Sequence, residues 1–225
     1  MLSRRRLVPA ALALVALVFA AAAAADKEKV QLTAADQARA KATVLRLADL
    51  GGPTSGWSGG LAKVSADSSL QCAGYDPKQS DLIVTGQAES SYAHVGLEFE
   101  SQVELLKTEQ MVKLDWRRSV DQASLVPCLR QVLSKNLPAG EKFVSFRRLG
   151  SPKVGDESAM FRGIVAVKEG AQTVKVMIDV AVVGIGRSEI TLITTAPYAA
   201  VSDVAAAELH LARVLTSRAT SANTA

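Results

Sequence analysis

Cys72 and Cys128, His94 and His210, and a row of carboxylates are the residues whose types could do specific chemistry. A zinc site needs three or four clustered His, Cys or acid ligands. With two histidines and two cysteines in the whole chain, and neither HExxH nor CxxC spacing, no metal site is expected and no cofactor is implied. A serine hydrolase needs its nucleophile on a strand-to-helix elbow of the type G-x-S-x-G, and no such elbow is recognised here. Gly184-Ile185-Gly186-Arg187 reads as a hairpin turn between two strands, whereas a dinucleotide loop must lead from strand into helix. Glycosidase chemistry needs two facing carboxylates. Glu98, Glu100 and Glu104 with Asp156 or Glu157 are the candidates, but spacing alone does not bring them face to face. His94 and His210 are read as ordinary residues, and no residue is assigned as catalytic.

The elements that must hold these residues begin with the N-terminus. Ser3-Arg4-Arg5-Arg6 is a basic start, Leu7 to Ala20 an apolar run, and Ala21 to Ala25 a small-residue stretch ending at Asp26. That is the layout of a secretory signal peptide over residues 1–25, with a cut after Ala25. An uncleaved membrane anchor is the alternative reading, the run being nearly long enough to span a bilayer. Ser3-Arg4-Arg5 followed by Leu7-Val8 also fits a twin-arginine signal, which would export a folded chain. The expected location is the cell envelope or the medium. Three of the 26 basic residues lie in this segment and none of the 22 acids, so the remainder balances at 23 against 22, or +1. A near-neutral domain with 4% aromatic residues lacks the basic, aromatic-interleaved surface of a nucleic-acid binder.

In an exporting context an even cysteine count reads as a disulfide, Cys72 to Cys128. Closing a loop of that length stabilises by roughly 4 kcal/mol. The bond would tie an early loop to a central helix, which argues for a single α+β domain over residues 26–218, followed by a disordered tail 219–225.

Residues 33–49 are predicted as a helix capped by Thr33 and ended by Gly51-Gly52-Pro53. Trp57 sits in the Gly-rich loop that follows, as a core plug or a ligand platform. Short strands are expected over 61–66 and 81–87. Residues 92–106 give a strict alternation, with Val95, Leu97, Phe99, Val103 and Leu105 inward and Glu98, Glu100, Gln102 and Glu104 on a solvated face. Helices are expected over 108–120 and from Pro127 to Asn136, then strands over 142–149, 159–168, 173–183 and 187–195. A last helix starts near Ser202 with Val204, Leu211 and Leu215 inward.

Hairpin arithmetic fixes two registers. A loop over Glu169 to Gln172 places Phe161 opposite Val180 and Arg162 opposite Asp179. A loop over Gly184 to Gly186 pairs Val183 with Arg187 and sets Val180 opposite Ile190. Arg162, Asp179 and Thr191 then share one sheet face, as a cross-strand ion pair or as a ligand-facing cluster. If they face a ligand, alanine at Arg162 weakens binding with little loss of stability.

The order of helix, Trp loop, first Cys, long strand, second Cys on a helix and C-terminal meander carries a resemblance. So do Gly155-Asp156-Glu157-Ser158-Ala159 before Phe161-Arg162, and Val183-Gly184-Ile185-Gly186-Arg187. The chain resembles the extracytoplasmic sensor domains of actinobacterial Ser/Thr kinases and related small exported PsbP-like domains, over residues 33–218. Such sensors usually carry more than one disulfide, and this sequence has cysteines for one. The resemblance implies a curved antiparallel sheet packed by helices, a cleft for a ligand, and no catalysis. The function expected is an exported ligand-binding or sensor-like domain, its partner a small molecule or an envelope protein. An envelope interaction domain and an unrecognised hydrolase are the alternatives. The ligand-contact candidates are Arg162, Asp179, Thr191 and Trp57.

Overall fold

The computed structural model describes residues 26–64, 72–151 and 153–223. The signal segment predicted over residues 1–25 lies outside the described residues.

Thr33 caps the first helix, α1 (Ala34–Thr43), by accepting a hydrogen bond from the Asp36 amide at 3.1 Å. The predicted helix to residue 49 stops early. Val44 and Leu45 are each 1% exposed, and the Leu45 amide donates to Ser101 Oγ on the sheet. Burying two side chains there wins over another helical turn, and a 3-10 turn, Leu47–Leu50, follows.

Eight strands form one sheet. They are β1 (Lys29–Val30), β2 (Ser58–Ala62), β3 (Ile83–His94), β4 (Leu97–Leu106), β5 (Glu141–Leu149), β6 (Glu157–Glu169), β7 (Gln172–Ile185) and β8 (Ser188–Pro197). The spatial order is β1-β3-β4-β8-β7-β6-β5, with β2 also pairing β3. Every pairing is antiparallel except the short one between β1 and β3. The strand predicted over 92–106 is in fact the end of β3 and all of β4, joined by a turn in which His94 pairs Leu97. Gly96 supplies the positive φ of +76° that this tight turn requires. Val95 is therefore 78% exposed at the hairpin tip instead of lying in the core.

Two layers of helix cover the two faces. On one face α1 and the last helix, α4 (Val201–Asn223), pack over Tyr92, Phe99, Val103, Met177, Ile190 and Leu192. Gly86 of β3 makes this possible: a Cβ there would lie 2.4 Å from the Asp36 carbonyl oxygen. On the other face α2 (Glu109–Arg118) and α3 (Leu125–Asn136) bring Trp116, Leu125 and Leu133 onto Phe146, Ala159 and Phe161. The architecture is α+β. The Cys72–Cys128 disulfide joins α3 to the loop before β3, with the two Cα atoms 5.5 Å apart, inside the normal range. Both cysteines belong to or pack against the second core.

The tail predicted as disordered from Ala219 is helical through Asn223. Ala219 is 1% exposed, and Arg218 pairs with Asp49 and donates to the Val44 carbonyl. Small residues there serve close packing of α4 against α1, a role that composition alone does not separate from disorder.

Among the described residues, no helix is long and apolar enough to cross a membrane.

Candidate functional site

The inward stripe of α4 runs Val204, Glu208, Leu211, Leu215 and Ala219. The spacing is that of one helical face. An acid interrupts it: Glu208 is 3% exposed, and both its carboxyl oxygens are buried without a hydrogen-bond partner. Burial and the nearby Asp179 push the Glu208 carboxyl well above the usual range.

Beneath it lies the pair expected from the hairpin count. Arg162 pairs with Asp179 across β6 and β7, and Phe161 with Val180. The Arg162 Nε donates to Asp179 Oδ1 at 2.7 Å, and Nη2 donates to Oδ2. This is the bidentate fork that gives Arg–carboxylate pairs their strength. Asp179 is 1% exposed and the Arg162 side chain 12%. The Asp179 carboxylate raises the Arg162 guanidinium further. Glu208 from α4 thus lies beside an ion pair made bidentate within the sheet, with Thr194 as the next polar neighbour.

Arg162 and Glu208 stand at the wall of a cavity of about 240 Å³ between α4 and strands β6 and β7. Its lining is otherwise mostly apolar: Leu149, Val154, Ala159, Met160, Ala181, Val182, Val183, Ala205, Leu209 and Ala212, with Ser151 and Ser158. A mostly apolar concavity with a few convergent polar groups is the general form of a small-molecule site.

Of the four residues proposed from sequence, the structure brings two together here. Arg162 lines the cavity and Asp179 anchors it from behind. Thr191 does not join them. The β7–β8 turn holds only Gly186 and Arg187, so Ile185 pairs Ser188 and Asp179 faces Thr194. Gly186 takes a φ of +55°, which a two-residue turn uses. The three-residue loop expected from sequence displaces the register by an odd number of residues, which moves Thr191 to the opposite face. There it pairs with Gln102 and Val182. Trp57 lies apart from the cavity, its ring 5.4 Å from those of Phe99 and His94. It is a plug over the first core.

Glu208 was not among the sequence candidates. Its one signal is an acid at the i+4 position of an otherwise apolar stripe beginning at Val204.

The acidic row of β4 is not the solvated face that its alternation suggests. Glu100 is 9% exposed and accepts from Gln102 Nε2 at 2.7 Å. Burial pushes its carboxyl up to about 7, with Glu89 and Glu98 adding to the rise. Burial likewise raises Glu98 and, on β8, Glu189. No group of three or more His, Cys, Asp or Glu side chains among the described residues is arranged to hold a metal ion.

One string needs correction. Gly56-Trp57-Ser58-Gly59-Gly60 does satisfy G-x-S-x-G. It leads from a loop into β2, not from strand to helix, and Ser58 Oγ donates to the Ala93 carbonyl at 3.3 Å. The elbow geometry that exposes a nucleophile is absent there.

No protein-family model matches the sequence, and no curated protein matches it. Solved structures that resemble the fold include two mycobacterial proteins. One is the extracellular domain of PknH from Mycobacterium tuberculosis, at 12% identity and a TM-score of 0.44, covering 85% of this chain and 98% of that one. The other is an uncharacterised protein, the Rv0999 ortholog, from Mycobacterium smegmatis. It is 14% identical with a TM-score of 0.42, covering 84% of this chain and 98% of that one. At this distance neither likeness carries a function to this chain.

Proposed function

We propose that this chain is an exported, non-enzymatic, ligand-binding or sensor-like domain. The observation that carries the reading is the cavity under α4. It is mostly apolar, of a size for a small organic group, and bounded by Arg162 and Glu208. The wall's guanidinium, Arg162, is locked to the buried Asp179 behind it, which suits recognition better than proton transfer. The disulfide suits an oxidising compartment. The reading includes a signal over residues 1–25, cleaved after Ala25 and of Sec or twin-arginine type, and the curved PsbP-like sheet that the resemblance implies.

Native mass spectrometry of the protein purified after export tests this. A reproducible excess mass, lost on denaturation, is expected. A bare protein that also fails to take up any small molecule would move the weight to an envelope-interaction role. Val30, Leu32 and Leu61 favour that second reading, since they are 54%, 45% and 65% exposed near the β1–β2 edge.

A further inference from the structure

The cavity's polar wall is unbalanced. It holds the Arg162 guanidinium and the Glu208 carboxyl, with the Asp179 carboxylate buried behind Arg162. Arg162 commits Nε and Nη2 to a bidentate pair with Asp179, and none of its remaining N–H groups reaches a Glu208 oxygen in hydrogen-bond geometry. Glu208 is the reverse case. Both its oxygens are buried and without a hydrogen-bond partner, in a residue 3% exposed. An ionised carboxylate only accepts, and its polar neighbours are the Asp179 carboxylate, the Thr194 hydroxyl and the Arg162 guanidinium that Asp179 already holds. What Glu208 lacks is a donor in hydrogen-bond geometry, and with both acids ionised the three charged groups are one positive charge short. Burying an unpaired charge is costly, and a partner group that supplies the missing donor removes that cost.

Building on the ligand-binding reading, we propose that the cavity takes a small amphiphile whose cationic nitrogen head pairs with Glu208 while its apolar body fills the space between α4 and the β6–β7 strands. An anionic head would meet the Glu208 carboxylate, with Asp179 adding repulsion from behind Arg162. A neutral hydroxyl head would satisfy one acceptor and leave the charge uncompensated. A protonated amine offers up to three donors and closes the charge. The body is bounded by the volume. An engineered apolar cavity of about 150 Å³ holds benzene, so about 240 Å³ suits a single ring with a short chain. Met160, Val182, Leu209 and Ala212 line the space for that body.

The test compares three probes of one shape on the exported protein: 2-phenylethylammonium, 2-phenylethanol and 3-phenylpropionate, titrated by calorimetry at neutral pH and low salt. The ammonium is expected to bind at least about tenfold tighter than either isostere, the margin of one charge-assisted hydrogen bond. Glu208→Gln should bring the ammonium and the alcohol to within about threefold of each other while the alcohol still binds. Circular dichroism checks that this variant is folded. Ala205→Phe, at the exposed cavity rim, should weaken all three probes together and so places them in this cavity. Tightest binding by the propionate would overturn the proposal and hand recognition to Arg162, leaving the ligand-binding reading intact. Equal affinities, or an ammonium preference that survives Glu208→Gln, would also overturn it alone. Failure of all three to bind at about 10 mM, weaker than the millimolar range, would overturn both.

Discussion

Replacing Glu100 by Gln should make this protein more stable, and more so the higher the pH. Glu100 sits on β4 opposite Ser91 and Ile193, is 9% exposed, and has Gln102 as its hydrogen-bond donor. Its carboxyl rises from 4.5 to about 7 through burial first, then through Glu89 and Glu98. A raised acid holds its proton in the folded state at pH values where the unfolded chain has released it. Stability is therefore intact below about 4.5 and falls as pH climbs toward 7. Each pKa unit is worth about 1.4 kcal/mol, so the full loss from this group is about 3 kcal/mol. Roughly 1 kcal/mol of it is already lost by about pH 5, leaving a fall of about 2 kcal/mol between about pH 5 and about pH 8. Gln has the same shape and no charge to desolvate. Urea unfolding of the wild type and of Glu100→Gln, at both pH values, measures the difference directly. The variant should gain about 2 kcal/mol relative to wild type over that interval. A difference independent of pH would refute the reasoning, because it would mean that Glu100 is ionised and well solvated in the folded protein. Glu98, Glu189 and Asp115 are raised for the same first reason, burial, and so carry the same sign.

Cys72→Ser should cost roughly 4 kcal/mol in oxidising buffer and little in reducing buffer, measured by denaturant unfolding, since the bond closes a loop of 56 residues. Arg162→Ala, expected from sequence to spare stability, should instead cost about 3–5 kcal/mol by leaving the buried Asp179 unpaired. The double change Arg162→Met with Asp179→Leu should recover much of that loss, and an equal or greater cost for the pair would contradict the account. Trp57→Ala should lower stability by about 2–4 kcal/mol through lost packing on Phe99. It should leave probe binding in the α4 cavity unchanged, and a parallel fall in affinity would place Trp57 in the site.

The sequence by itself determined what depends on short-range geometry. Thr33 and Thr108 cap helices because a hydroxyl beside a free amide does so wherever it occurs. The β6–β7 register followed from one turn and two alternating strands, so Arg162 could be set against Asp179 without any coordinates. Thr191 falls outside the cluster for an equally local reason: the turn at Gly186-Arg187 has two residues where the glycines suggest three, and an odd displacement moves every side chain of β8 to the other face. The tertiary structure alone decided the rest. Period-two alternation puts Glu100 opposite in direction to Phe99, but not whether that face is wet. Helix periodicity puts Glu208 on the inward stripe of α4, but not what it meets there. The meeting of Glu208 with Arg162 and Asp179 joins elements distant in sequence through the packing of α4 on the sheet. Burial and charge compensation belong to that packing, which is why the cavity and the group it lacks became legible only once the chain was folded.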